Sequence, residues 1–189
     1  MLNTVRRFVP ATAAVLVGVC SSVPMAHADD AGPLYRLVDT AAQRLLTADP
    51  VAAFKWVKGG SIEDSVRANK VLDAVAADAR NRRLDDQYVR RTFENQIHAT
   101  EGVEYTRFAQ WKMDPAHAPI SAEDLSQSRA EIDGFNRDMV AEMAAQRDVL
   151  LGPGCAIALN IARDSVTAGR ALDPLYRQGL DVATSSYCR

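Results

Sequence analysis

Histidine is scarce in this chain, with three in 189 residues. One of them, His27, falls in an N-terminal segment with export features. The other two, His98 and His117, are far apart and lack ligand spacing, so no metal site is expected. No nucleophile motif with a histidine partner is present, and no glycine-rich phosphate loop. Strand alternation, internal repeats and low-complexity stretches are also missing from the residues after the N-terminal segment. Positive charge is not in excess either: the formal net charge is −2, which is no nucleic-acid footprint.

Residues 1–28 carry the marks of a cleaved export signal. Arg6 and Arg7 form a basic start. Phe8 to Val19 are mostly apolar but too short to span a membrane. Ala26-His27-Ala28 gives the small-x-small cleavage pattern. Cys20 leaves a lipid-anchored product as the alternative, although Val19 before it fits that poorly. Cleavage would remove Arg6, Arg7 and no acid from 22 basic and 24 acidic residues, leaving 161 residues with a net charge of −4. That length suits one domain with a substantial core, residues 29–189. Cys155 and Cys188 would then be the remaining cysteines. In an exported chain they form one disulfide, or stay as two buried thiols. The product is expected to be secreted or periplasmic, with no membrane anchor once the signal is gone.

The remaining chain reads as helices throughout. In residues 89–113, Val89, Phe93, Ile97, Thr100, Phe108 and Trp111 recur at helical spacing. Glu104 falls inside that stripe, one turn after Thr100. A carboxylate there is costly to bury unless something pairs with it. A helix or kinked helix pair is expected over 33–58, with Asp49-Pro50 marking the restart and Gly59-Gly60 the end. Arg44 and Lys55 lie three turns apart along it. Ser61 and Asp64 resemble a capping box before a helix to about Arg83, on which Asp64, Arg67 and Val71 share a face. Asp85 or Asp86 starts the helix that Asp114-Pro115 stops. Further helices are expected over about 122–151, where Arg129 falls in the stripe of Leu125, Ile132, Phe135, Met139 and Met143, then 155–169, and 174–187 capped by Asp173-Pro174. The fold class is all-α, a single-domain bundle of about six helices.

Four helices therefore place charged or polar groups inward: Arg44 and Lys55, Asp64 and Arg67, Thr100 and Glu104, and Arg129. Singly, each has an ordinary explanation, such as a snorkelling arginine or a helix cap. Together, four cations and two acids point to a polar pocket in a bundle core. It should take a small anion, one with two carboxylates. Without nucleophile or metal, the pocket suits binding, or a reaction that needs only electrostatics and shape.

The stretches DPVAAFKW (49–56), IEDSVR (62–67), QIHATEGVEYTRFAQWK (96–112), LSQSRAEID (125–133), and LDPLY with SYC near the end carry a resemblance. The chain resembles the secreted (gamma) subclass of the all-helical, type II-like chorismate mutases over essentially its whole mature length. The resemblance implies rearrangement of chorismate to prephenate, with no metal, cofactor or covalent intermediate. It implies that Arg44, Arg67 and Arg129 grip the substrate's two carboxylates, and that Lys55 and a protonated Glu104 donate to the ether oxygen. Asp64 would hold the ring hydroxyl and Thr100 would line the site. Close relatives can carry a glutamine where this chain has Val71. The resemblance further implies a homodimer with each site inside one chain, and it matches the cysteine pair. The alternative function is an exported helical binding protein for a small dicarboxylate, which would need carboxylate clamps but no Lys55–Glu104 pair at an ether oxygen.

Overall fold

The computed structural model describes residues 32–189. The expected signal segment, with Cys20 and His27, lies outside the described residues. The described chain is helical almost throughout. Its elements are α1 (Tyr35–Leu46), α2 (Ala48–Lys58), α3 (Ser65–Asn81), α4 (Asp86–Met113), α5 (Leu125–Ala145), α6 (Arg147–Leu150), α7 (Cys155–Gly169) and α8 (Pro174–Ala183). A single 3-10 turn, Pro115–His117, follows α4.

Eight helices rather than about six result from two breaks. The first separates α1 from α2 at Thr47, two residues earlier than Asp49-Pro50 suggested. The Thr47 hydroxyl donates to the Arg44 carbonyl at 2.7 Å, a local bond that competes with helix propagation. Pro50 then falls in the first turn of α2, where backbone N–H groups lack helical acceptors and proline is tolerated. Asp49, relieved of capping, takes both arms of Arg107 from α4, at 2.6 and 3.2 Å. The second break, at Gln146, divides the expected 122–151 helix into α5 and α6.

Other boundaries follow local chemistry. Gly59 ends α2 in the left-handed region, at φ 75°, which glycine adopts without a Cβ penalty. The expected capping box at Ser61 does not form. Asp64 itself is the N-cap of α3, accepting the Arg67 backbone N–H at 3.0 Å. Asp85, Asp124 and Asp173 cap α4, α5 and α8 with their carboxylates.

The centre of the bundle is α4, which packs against α2, α3 and α8. It is buried along two flanks instead of one. Gln96, Ala99 and Val103 face α8, while Ile97, Thr100 and Glu104 face a cavity on the other side. α1 forms the second core element. Leu37, Val38, Ala41 and Leu45 are fully enclosed, against α5, α7 and α8. Phe108 and Trp111, expected on the α4 stripe, are half-buried and make an aromatic cluster with Trp56 of α2, with centroids 5.2–5.9 Å apart. Cys155 and Cys188 are disulfide-bonded, with Cα atoms 5.6 Å apart. The bond fixes the tail after α8 to the start of α7.

Candidate active site

α1 to α5 and the loop after α2 wall a cavity that is open to solvent. Arg44, Lys55, Asp64, Arg67, Val71, Thr100, Glu104 and Arg129 all line it. The restart at Thr47 bends the axis between Arg44 and Lys55, yet both still reach the same space.

Arg44 projects from the last turn of α1 and is almost fully buried, with 4% of its surface exposed. Its Nε donates to Asn136 Oδ1 on α5 at 2.9 Å. One terminal nitrogen donates to the Gln96 carbonyl at 3.2 Å and to Thr100 Oγ1 at 3.3 Å. Burial lowers its pKa to about 10, which leaves it charged at neutral pH. Every one of these partners is neutral, so the positive charge is held without being cancelled. Thr100 donates in turn to the Gln96 carbonyl at 2.8 Å, which orients the hydroxyl.

Lys55, on the last turn of α2, donates to Glu104 Oε2 at 2.7 Å and to the Ile62 carbonyl at 2.5 Å. Both side chains are enclosed, Lys55 to 14% and Glu104 to 3% exposure. Burial pushes the Glu104 carboxyl above its ordinary value; the hydrogen bond and charge of Lys55 oppose this and are the weaker influence. With Oε2 occupied by Lys55, Oε1 is free to carry a proton.

The opposite wall is more open than the sequence suggested. Asp64 and Arg129 were expected on inward faces. Asp64 is instead an exposed helix cap, and the Arg129 side chain is half-exposed at the rim, 3.8 Å from Asp64. Arg67 is ion-paired with Asp133 of α5 at 2.5 Å. Val71 is buried in the cavity wall and brings no polar atom to it.

Three residues of the site escaped sequence reasoning. Asn136 is the buried member of the α5 stripe in which Phe135 had been expected, and Phe135 is only half-buried. Its signal was an amide between Ile132 and Met139 at helical spacing. Asp133 lies one turn beyond Arg129 on the same helix. Glu101 lines the cavity beside Thr100, so that with Asp133 two acids join the expected Asp64 and Glu104. His98 and His117 stay apart, and His117 pairs with Asp114 at 2.7 Å on the surface. Among the described residues, no cluster of His, Cys, Asp and Glu could hold a metal ion. None of the described helices is long and apolar enough to cross a membrane.

Fold and cavity together define an all-helical protein with a solvent-open pocket lined by Arg44, Lys55, Arg67 and Arg129. Comparison with known proteins narrows this class. The family model for chorismate mutase type II matches residues 35–105. The secreted chorismate mutase of Mycolicibacterium smegmatis is 55% identical over 93% of this chain and 96% of its own length. That of Mycobacterium tuberculosis is 44% identical over 100% and 98%. The crystal structure of chorismate mutase from Burkholderia thailandensis superimposes with a TM-score of 0.78 at 29% identity, covering 82% of this chain and 99% of that one. The chain belongs to the secreted chorismate mutases. That membership favours the enzyme over the catalytically silent binding protein.

Proposed function

We propose that this cavity converts chorismate to prephenate by binding the substrate's two carboxylates and stabilising the charge that develops on its ether oxygen. The step is unimolecular. The ether C–O bond breaks as a new C–C bond forms, so the protein has no group to transfer. Its contribution is to hold a compact, reactive substrate shape and to supply a preorganised field.

Arg44, Arg67 and Arg129 are the carboxylate clamps. Arg44 is rigid, enclosed and uncancelled, so it meets an incoming carboxylate with little reorganisation. Arg67 and Arg129 must first exchange Asp133 and Asp64 for substrate. Asp64, at the α3 N-terminus, accepts from the ring hydroxyl, and Thr100 packs beside Glu104. Lys55 and Glu104 act at the ether oxygen. As the bond breaks, this oxygen gains negative charge, which an ionised carboxylate would repel. Glu104 therefore acts in its neutral form, donating from Oε1 while Oε2 accepts from Lys55.

The observation that carries this reading is the enclosed 2.7 Å Lys55–Glu104 contact inside an arginine-lined cavity. A dicarboxylate binder has no use for a buried acid there, because a carboxylate among the clamps weakens anion binding. The direction of the Glu104 shift supports the neutral form. A raised pKa keeps the proton to higher pH than an ordinary carboxyl would, and activity should fall as pH rises through it. The test is kcat/KM from about pH 5 to 8 for the parent, Glu104→Gln and Glu104→Ala. Glutamine should stay active with a flat profile, because it donates at every pH. Alanine should lose most activity throughout. An inactive glutamine variant, beside a parent whose rate rises with pH through a carboxylate pKa, would mean that Glu104 works ionised.

Two copies of the chain are proposed to associate as a homodimer, each with a complete site of its own. Light scattering on the eluting protein tests this by mass.

A further inference from the structure

Glu101 is an anomaly in a cavity meant for a dianion. It lines the cavity on α4, one turn before Glu104. Unlike its neighbours, it has no hydrogen bond or ion pair among the described residues. Glu63, across the mouth, accepts from Tyr105 Oη at 2.8 Å, and Asp64 caps α3. A partly buried carboxylate without a partner costs stability and repels an anionic substrate. Residues three apart on a helix are neighbours, so Glu101 stands beside Glu104.

We infer that Glu101 is a positioning residue whose charge holds the proton on Glu104 by balancing the ammonium of Lys55. This rests on the proposal that Glu104 donates a proton-borne hydrogen bond. Lys55 alone would draw Glu104 into the ionised form, which is the wrong form for the ether oxygen. A second carboxylate changes the balance: one ionised acid neutralises Lys55, and the other keeps its proton. Two interacting carboxyls titrate as a pair, and their surroundings decide which one ionises. Glu104 is the more enclosed, so it keeps the proton. Glu101 is half-open to water and carries the charge.

The other groups around the pair do not replace Glu101. Arg44 from α1, Arg67 from α3 and Arg129 from α5 are cations, which favour an ionised Glu104. Asp64 stands with Arg129 at the rim. Burial raises the Glu101 carboxyl above its ordinary value, with Glu63 adding to this and His98 and Lys55 opposing it. Glu101 in turn pushes Glu104 up.

The experiment is the pH dependence of kcat and KM, from about pH 5 to 8, for the parent, Glu101→Gln, Glu104→Gln and the double variant. Glu101→Gln should keep the low-pH kcat and lose activity at a lower pH than the parent. A midpoint lower by about one pH unit gives roughly a tenfold loss of kcat above it. KM should fall at pH values below the variant's midpoint, where Glu104 still holds its proton and a negative charge has left the anion site; between the two midpoints that charge has only moved to Glu104. Glu104→Gln should be flat, and adding Glu101→Gln to it should leave kcat flat and unchanged. An unmoved midpoint in Glu101→Gln overturns this inference and leaves the role of Glu104 standing, provided that Glu104→Gln is active and flat. A pH-independent drop in kcat, or the same drop in the Glu104→Gln background, overturns it too, since a merely structural role would act that way. An inactive Glu104→Gln removes the donor role and this inference together.

Discussion

The two flanks of α4 are built from the same helix and obey opposite rules. Toward α8 the flank is closed. Val103 and Ala99 pack there, and Gln96 Nε2 donates to the Ala183 carbonyl at 3.1 Å. Gly179 of α8 faces both α1 and α4: a Cβ on it would stand 2.9 Å from Leu45 Cδ2 of α1 and 3.6 Å from Val103 Cγ2 of α4. Toward α2, α3 and α5 the flank is open, and Thr100, Glu101 and Glu104 border solvent-accessible space. A cation on the closed side would be an uncompensated buried charge. On the open side Arg44 is retained, at the cost of satisfying it with Asn136, Thr100 and a backbone carbonyl. The closed flank holds the helix still, and the open flank can then keep its polar groups poised. Stability and activity should therefore separate by flank.

Arg44→Ala should breach that division most severely, because Arg44 belongs to both functions. A buried charge-assisted contact to substrate is worth about 1.5–3 kcal/mol, and unpairing Asn136 and Thr100 costs stability of similar order. The expectation is a roughly hundredfold loss of kcat/KM together with a lower melting temperature. Leu180→Ala, on the closed flank, should cost about 2–5 kcal/mol by leaving a cavity at a fully buried position. The kcat/KM of the molecules that stay folded should be nearly unchanged, as read by denaturant melts beside initial rates.

Reducing Cys155–Cys188, whose cysteines are 33 residues apart in sequence, should cost about 3–4 kcal/mol by the chain-entropy model. It too should spare activity in the folded enzyme, because the bond joins α7 to the tail, away from the cavity. Mass spectrometry of the unreduced protein should recover the linked peptide. The smallest effect belongs to Arg129→Ala. Its side chain is half-exposed and only 3.8 Å from Asp64, an ion pair of negligible worth to stability. Melting should not move, while kcat/KM should fall by about tenfold, toward the lower end for a charge-assisted contact. Equal loss of stability in Arg129→Ala and Leu180→Ala would erase the distinction between the flanks.

Much of this organisation is legible in the sequence. Glycine at 59, aspartates at 85 and 173, and the proline after Asp114 act within one turn of themselves, and the helix ends fall there. The restart near residue 48 was legible as an event but not as a position. Asp49-Pro50 is a strong local signal, yet the Thr47 side-chain bond and the pull of Arg107 on Asp49 decided otherwise. Ser61 failed as a cap for a similar reason: Asp64 offers its own carboxylate to α3. A single stripe on α4 was too simple, because a helix buried on two sides blurs its own periodicity.

By itself the sequence determined the helices, the pairing available to Cys155 and Cys188, and a set of charged residues at inward spacings. Those depend on near neighbours and on period. Only the tertiary structure decided which charges are cancelled. Arg44 meets Asn136 from 92 residues away, Arg67 meets Asp133 from 66, and Lys55 meets Glu104 from 49. Whether a cation ends beside an amide, a carboxylate or open water depends on how five helices cross. Such crossings are fixed by the packing of the whole core, and no local pattern encodes them.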